Sequence, residues 1–420
     1  MSLRFICVEV RHNLRCANVF LQFDHSLTET EFLKIVVEND ALTFREYSTA
    51  TCVSLSKYFT AEARTISNLT VEECNASFRL TITTDNDEFV AENGAKRVDN
   101  KRRVYVTPKP DVVEGCQLLV LCKNCKCELS TTLECQRVRE FPSGSIDMNE
   151  FFCHHGPKFD EVLIPKLTDF FYGFQFVVLN VELMQERVKF KDGHVYCRRC
   201  LQYLGETMFS DKAVKIWTDT LLSKRILGEN EANTINVFND AEMTPTCQLL
   251  HKIIDDTQVA DAGVELLLQK MHFSKVLLEA TFPNRQRKYL LLQVLEKELQ
   301  VLRNTKPLAH GSHNNNNVLH VELEPFKCFK LLYKLLDETE DEGGGVNKSE
   351  DRDSGDASSG INDNLLLQSW KQDISIHTLK VSPTIFSTLL DELDDNALLL
   401  PELYRYTHDH FQLSYVFYKK

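Results

Sequence analysis

The chain has 420 residues, of which 43% are hydrophobic and 26% charged, so it has the composition of a globular protein of more than one domain. Its formal net charge is −13 at pH 7, and an acidic surface repels phosphate backbones, which argues against a direct nucleic-acid binder. The sequence shows neither the pattern of a signal peptide nor an apolar run of about 18 residues. We therefore expect no membrane association, and we expect the protein in the cytoplasm or nucleus.

Short segments in which apolar and polar residues alternate fill the first part of the chain. Such alternation is typical of half-buried antiparallel strands, so we predict a β-rich domain over residues 1–114. The apolar positions of three segments are Ile6, Val8 and Val10; Val19, Leu21 and Phe23; and Phe78, Leu80 and Ile82.

Two Cys-x-x-Cys sequences mark a second region, residues 115–210. A spacing of two residues lets both thiolates point at one metal from a tight turn, and two such turns complete a tetrahedral four-sulfur zinc site. Asp192-Gly193 is a hairpin turn signal that leads into the second of them. The gap between the turns exceeds the usual spacing, so we expect an insertion that loops out, and Cys127 and Cys135 are substitutes for a misassigned ligand. We therefore predict a structural Zn²⁺ in zinc-ribbon-like knuckles, held by Cys122, Cys125, Cys197 and Cys200.

Three metal-capable side chains lie side by side in the insertion, at Cys153, His154 and His155. We leave three interpretations open: packing residues with a surface histidine, additional ligands for the same zinc, or a protruding loop that offers thiolate and imidazole to a metal held by another protein.

Residues 211–420 are predicted to form a mixed α+β region, which makes the whole chain α+β and mostly β. Residues 243–256 have the periodicity of a helix, and Ser382-Pro383 begins another with serine as N-cap. Residues 272–281, 288–295, 298–302 and 411–418 resemble strands, and residues 326–336 are ambiguous. An acidic loop over residues 338–364 and residues 310–317 are predicted to be disordered.

Three segments, in the same order along the chain, resemble one known family. Residues 152–159, Phe-Cys-His-His-Gly-Pro-Lys-Phe, resemble its Trp-Cys-Cys-His-Pro-Asp-Pro-Phe segment. Residues 197–200 and 204–207, Cys-Arg-Arg-Cys and Leu-Gly-Glu-Thr, resemble its second knuckle. Residues 369–377, Ser-Trp-Lys-Gln-Asp-Ile-Ser-Ile-His, resemble its Ser-Trp-Glu-Ser-Asp-Ile-Ser-Val-His. The chain resembles the HECT-like, ubiquitin-conjugating-enzyme-binding family of ubiquitin-protein ligases.

This resemblance implies a transferase that takes ubiquitin from a conjugating enzyme and passes it to substrates, cyclin B and itself among them. The family is also linked to the metallo-β-lactamase endonuclease of mRNA 3′-end cleavage. The alternative function is therefore a non-enzymatic partner, chaperone or inhibitor of that endonuclease, which inserts Cys153, His154 and His155 at its metal site.

The departure from a true HECT domain is the absence of a cysteine near the C-terminus, where the nucleophile would lie. Only Cys247 and Cys328 follow the knuckles, and both are weak candidates because their surroundings are apolar or helical. By family position, the helix over residues 243–256 is a candidate docking face for the conjugating enzyme, although its apolar residues fit a core equally well. These residues are Leu249, Leu250, Ile253 and Ile254.

Overall fold

The computed structural model of the protein describes residues 3–24, 26–27, 34–46, 49–86, 109–142, 163–227, 231–238, 244–260, 274–284, 286–304, 318–337, 357–407 and 409–418. Strands dominate these ranges and most pair antiparallel, which confirms the predicted α+β, mostly β class. Within them, no helix combines the length and apolar character needed to cross a membrane.

The chain divides into two compact units, each built from separate stretches of sequence. Unit 1 contains residues 1–103, 292–334 and 389–420, and unit 2 contains residues 104–291 and 335–388. This division differs from the three consecutive domains that we predicted. The reason is that strands far apart in the sequence pair with each other, a relationship that local patterns do not carry.

Unit 1 is built around the strands predicted from alternation. Nine of its strands are β1 (Leu3–Arg11), β2 (Cys16–Phe23), β3 (Lys34–Val37), β4 (Ala41–Glu46), β5 (Thr49–Ser54), β6 (Phe59–Ala61), β7 (Ser67–Glu72), β8 (Asn75–Asp85) and β22 (Val318–Val321). β1 pairs antiparallel with β2, β2 pairs with β8, and β8 pairs with β6 and β7. A second sheet has the order β22-β5-β4-β3, in which β22 runs parallel to β5.

Both faces of β1 are buried, although its alternation predicted one face towards solvent. Val8 and Val10 face the main core of unit 1, while Cys7 faces a second cluster with Phe20 and Tyr415. The second layer comes from β23 (Glu324–Asp337) and β25 (Gln412–Phe417), which pair antiparallel over residues 328–333 and 412–417. Because this layer covers β1, the polar Glu9 is fully buried.

The described residues of unit 2 form two sheets of their own. Their strands are β9 (Gln117–Cys122), β10 (Leu133–Glu134), β11 (Arg137–Glu140), β12 (Asp169–Gly173), β13 (Phe176–Asn180), β14 (Val188–Lys191), β15 (His194–Cys197), β16 (Tyr203–Met208), β17 (Ala213–Trp217), β18 (Leu221–Leu227) and β19 (Glu231–Ile235). The first sheet has the order β10-β9-β18-β19 and the second the order β11-β12-β13-β17-β16-β15-β14.

The later strands correct two of our boundaries. The two predicted strands, residues 288–295 and 298–302, are one continuous strand, β21 (Arg287–Arg303). The three charged residues at positions 296–298 interrupt the apolar pattern, and for this reason the sequence predicted two strands. The ambiguous segment 326–336 is part of β23. β20 (Ser274–Thr281) pairs parallel with β24 (His377–Lys380), and residues 300–303 of β21 pair with β1.

The α-helices within the described residues are α1 (Pro245–Ala260), α2 (Ala357–Gln372), α3 (Pro383–Ala397) and α4 (Glu402–Arg405). The predicted start of α3 is confirmed: Ser382 Oγ accepts a hydrogen bond from the backbone N–H of Ile385 at 3.1 Å, as an N-cap does. Helix α2 begins inside the segment 338–364, so the prediction of disorder is wrong for its last residues. Residues 338–356 and 310–317 lie outside the described ranges.

Candidate metal centre

Two tight turns, the first knuckle (residues 122–125) and the second knuckle (residues 197–200), follow the ends of two strands in unit 2. β9 ends at Cys122, and β15 ends at Cys197. The second knuckle is placed by the hairpin of β14 and β15, whose turn residues Asp192 and Gly193 have φ values of 52° and 76°. Two consecutive positive φ values are what the predicted Asp-Gly turn requires.

The first knuckle is closed by two backbone hydrogen bonds. The N–H of Lys126 donates to the carbonyl of Cys122, and the N–H of Cys122 donates to the carbonyl of Cys127, both with N···O distances of 2.9 Å. Lys126 has a φ of 59°, in the left-handed region. This conformation reverses the chain directly after Cys125.

The second knuckle repeats this pattern position by position. The N–H of Leu201 donates to the carbonyl of Cys197, and the N–H of Cys197 donates to the carbonyl of Gln202, again at 2.9 Å. Leu201 also has a φ of 59°. Lys126 therefore corresponds to Leu201, and Cys127 corresponds to Gln202. Neither left-handed position was predicted, because the glycine that usually reveals such a position is missing from both.

The two knuckles bring together the four predicted sulfur atoms. All four Sγ atoms lie within 4.8 Å of one another, and the Cys122–Cys200 and Cys125–Cys197 pairs are each 3.6 Å apart. A tetrahedral zinc with Zn–S bonds of about 2.3 Å has sulfur–sulfur edges of about 3.8 Å. The arrangement can therefore hold one tetrahedral metal ion with little movement.

The electrostatics of the cluster also fit a cation. Burial raises the pKa of the Cys122 thiol to about 12, although backbone N–H groups of Cys125 and Asn124 oppose this effect. At Cys125 burial acts in the same direction, but hydrogen bonds from the backbone and side chain of Cys127 and from other thiols lower its pKa to about 6. Four thiolates at these distances repel one another, and a bound divalent cation would remove that repulsion.

The two substitute ligands have different surroundings. Cys127 Sγ lies 3.3 Å from the Sγ atoms of both Cys125 and Cys197, so it borders one edge of the cluster. Cys135 is buried, and its backbone N–H donates to the carbonyl of Cys116 at 2.9 Å. Burial and the neighbouring Cys116 raise the pKa of Cys135. Its sulfur is not one of the four that lie within 4.8 Å of one another, so the geometry does not make it a ligand.

The sequence between the knuckles does not simply loop out as we expected. It contributes β10 to β14, and β11 to β14 belong to the same seven-stranded sheet as the second knuckle. Cys153, His154 and His155 lie outside the described residues, so their three interpretations stay open.

Gly205, in the segment after the second knuckle, is needed for close strand packing. A side chain at this position would collide with the backbone of Lys215 on β17, which pairs with β16. This contact gives a physical reason for the glycine in the Leu-Gly-Glu-Thr segment.

Both weak candidates for a catalytic cysteine are fully buried. Cys247 lies in the first turn of α1, and Cys328 lies on β23 among the second cluster of unit 1. Burial raises the pKa of Cys328 well above its usual value, and the nearby charges of Glu9 and Cys7 act in the same direction. Neither thiol is placed to attack a ubiquitin thioester.

The candidate docking face of α1 is buried as well. Its four apolar residues are at most 5% exposed, and the helix lies beside β20 in unit 2. This burial agrees with the core-facing alternative that the sequence left open, and the docking role stays a prediction. The four residues are Leu249, Leu250, Ile253 and Ile254.

The segment resembling the family's third motif forms the end of α2 and the start of β24. Trp370 is buried, with the Lys275 Nζ 5.7 Å from its ring centroid. Asp373 Oδ1 accepts hydrogen bonds from the N–H and the hydroxyl of Ser375, at 2.9 and 2.7 Å. This turn exposes the whole side chain of Ile374.

Comparison with known proteins decides the family. The family described as HECT-like Ubiquitin-conjugating enzyme (E2)-binding matches residues 9–413, which include most of unit 1, all of unit 2 and both knuckles. The chain belongs to this family.

Two curated proteins of similar sequence are named as E3 ubiquitin-protein ligases. The protein from Mus musculus is 27% identical over 289 residues, which cover 67% of this chain and 66% of the relative. The protein from Rattus norvegicus is 26% identical over 274 residues, which cover 63% of this chain and 61% of the relative. The chain thus spans slightly less than two thirds of the length of either relative. No solved structure matches the chain.

Proposed function

We propose that the protein binds a ubiquitin-conjugating enzyme charged with ubiquitin and promotes transfer of that ubiquitin to substrates. The single observation that carries this proposal is the match of the E2-binding family over residues 9–413. The names of the curated relatives, both ubiquitin-protein ligases, support the same activity. Cyclin B and the chain itself are the substrates to test first.

The burial of Cys247 and Cys328 supports a specific version of this proposal. A ubiquitin thioester forms only on an accessible thiolate, and neither sulfur is accessible. The protein would therefore act by docking the charged conjugating enzyme and orienting its thioester towards a substrate lysine, with no thioester on either of these cysteines.

The test is a discharge assay with several ubiquitin-charged conjugating enzymes. With at least one of them, the wild-type protein is expected to accelerate ubiquitin transfer to lysine without forming a reductant-sensitive adduct, and Cys247→Ser and Cys328→Ser should retain this activity. An adduct that disappears with either substitution would contradict the docking mechanism but leave the ligase function intact. No acceleration with any conjugating enzyme would contradict the function itself.

We further propose that Cys122, Cys125, Cys197 and Cys200 hold one structural Zn²⁺. Support comes from four sulfur ligands at near-tetrahedral separations, a donor set that leaves no open position for water or substrate. Such a centre would fix two separate strand ends to each other. It suits the reducing cytoplasm or nucleus, where these thiols stay unoxidised.

Metal analysis of the purified protein tests the zinc proposal. We expect one zinc per chain in the wild type and in Cys52→Ser, a control that removes a half-buried thiol from β5 in unit 1. Cys122→Ser and Cys200→Ser should lose the zinc and the cooperative unfolding of unit 2. A wild-type protein that is stable and free of zinc would contradict the proposal.

A second candidate function rests on the Cys153-His154-His155 segment. Here the protein is a partner or inhibitor of the mRNA 3′-end endonuclease and offers these side chains to the metal centre of that enzyme. Cys153→Ala should then abolish binding of the purified endonuclease while leaving zinc content and thermal unfolding unchanged. Loss of zinc or of the fold in this variant would instead assign the segment a structural role.

A further inference from the structure

Cys127 is a fifth sulfur beside a site that needs only four. Its Sγ lies 3.3 Å from Cys125 Sγ and from Cys197 Sγ, closer than the 3.6 Å that separates those two from each other. Cys127 is excluded from the group of four sulfurs that lie within 4.8 Å of one another. It therefore lies outside one edge of the cluster rather than at a fifth vertex.

The correspondence between the two knuckles shows that this sulfur is not needed to build the turn. The position that matches Cys127 in the second knuckle is Gln202. In each knuckle the backbone carbonyl of this residue accepts the hydrogen bond from the N–H of the first ligand cysteine, Cys122 or Cys197. The backbone alone closes the turn, so the side chain at position 127 is free to serve another purpose. A thiol here adds a chemical property that glutamine lacks.

We propose that Cys127 and Cys197 form a peroxide-sensitive redox pair that releases the metal. Cys127 is half-buried and reachable by a small oxidant, whereas Cys197 is fully buried. The inference rests on the zinc site proposed above. Cys125 lies equally near, but a disulfide between positions 125 and 127 would close a very small ring. Cys197 comes from a distant part of the chain and carries no such constraint.

The chemistry balances with hydrogen peroxide as the oxidant. The Cys127 thiol takes one peroxide oxygen to become a sulfenic acid, and the other oxygen leaves as water. The Cys197 thiolate then attacks the Cys127 sulfur, an S–S bond forms, and the displaced hydroxide takes a proton from solvent to give a second water. Two sulfurs lose two electrons in total, and the peroxide gains them. Only three of the four proposed ligands would then remain to hold a zinc ion.

The test uses the full-length, zinc-loaded protein treated with hydrogen peroxide. A chromogenic chelator follows zinc release, and mass spectrometry of alkylated peptides maps the disulfides. In the wild type we expect zinc release together with a Cys127–Cys197 disulfide, and a thiol reductant with added zinc should restore the original state. Cys127→Gln copies the residue of the other knuckle, and Cys127→Ser is a second variant in case the first does not fold.

Both Cys127 variants should contain zinc before oxidation and release it several-fold more slowly than the wild type, while the Cys52→Ser control should behave as the wild type. Release as fast as wild type, or disulfides among the four ligands alone, would overturn the proposal. Purification of the Cys127 variants without zinc would also overturn it, because Cys127 would then be a ligand. A wild-type protein without zinc would contradict the metal site itself.

Discussion

Glu9 and Lys330 form a buried ion pair although they are 321 positions apart in the sequence, with Glu9 Oε1 2.6 Å from Lys330 Nζ. The hydroxyl of Tyr415 donates to the same carboxylate oxygen at 2.5 Å, and Asn18 Nδ2 donates to the other at 3.1 Å. Burial acts to raise the pKa of Glu9, but the charge and hydrogen bond of Lys330 outweigh this effect and lower the pKa, so that the carboxylate is ionised.

Removing one partner of this pair should be far more damaging than removing both. Glu9→Ala leaves the Lys330 ammonium buried without its counter-ion and is expected to cost about 3–5 kcal/mol of the free energy of unfolding. The double variant Glu9→Ala/Lys330→Met replaces both charges with apolar groups and should recover most of that loss. Urea unfolding of the three proteins measures these differences. A single variant that loses less than about 1 kcal/mol would show that the pair is not the buried charge cluster described here.

Leu201 combines two features that are unfavourable in a folded protein, because its φ is 59° and its side chain is 61% exposed. Leu201→Gly should relieve the backbone strain and raise the stability of the zinc-loaded protein by up to about 1 kcal/mol. Leu201→Ala keeps the Cβ and should leave stability unchanged. Thermal unfolding of the three proteins tests this expectation, and a lower Tm for Leu201→Gly would refute it.

Lys215 on β17 packs between two aromatic rings, with its Nζ 4.5 Å from the centroid of Phe176 and 4.4 Å from that of Trp217. Burial lowers its pKa to about 8 from 10.5, and Lys380 acts in the same direction while Glu206 and Glu279 oppose it. Between these two pH values the unfolded chain carries a proton that the folded chain has lost. The contribution of Lys215 to stability therefore rises with pH across this window.

We expect this rise to amount to about 1–3 kcal/mol, measured as the stability of the wild type minus that of Lys215→Met at pH 8 and again near pH 10. The same comparison with Lys189→Met, which replaces an exposed lysine of β14, should show no change over this range. A constant difference between wild type and Lys215→Met would mean that the lysine keeps its proton in the folded protein.

Local patterns were enough to predict the strands of unit 1, the hairpin at Asp192-Gly193, the capped start of α3 and the four cysteines whose sulfur atoms the structure brings together. Each of these depends on residues that lie within a few positions of one another, such as two thiols spaced for one metal or a hydroxyl three residues before an N–H group. The matching left-handed turns of the two knuckles could not be predicted, because Lys126 and Leu201 occupy positions where a glycine usually indicates a positive φ.

Features that depend on distant parts of the chain were missed. Glu9 has the spacing of a solvent-facing residue of β1, and only the pairing of β23 with β25, more than three hundred positions later in the sequence, covers it. The apolar face of α1 carries no mark that separates a docking surface from a core, so its burial became evident only from the structure.

The most direct test of the proposed function is the affinity of the purified, zinc-loaded protein for ubiquitin-charged conjugating enzymes, measured by biolayer interferometry across a panel of them. We expect saturable binding to at least one conjugating enzyme. Cys247→Ser and Cys328→Ser should bind with unchanged Kd, because both thiols are buried. If the folded, zinc-loaded protein binds none of the conjugating enzymes, the assignment as a ubiquitin-conjugating-enzyme-binding ligase is contradicted.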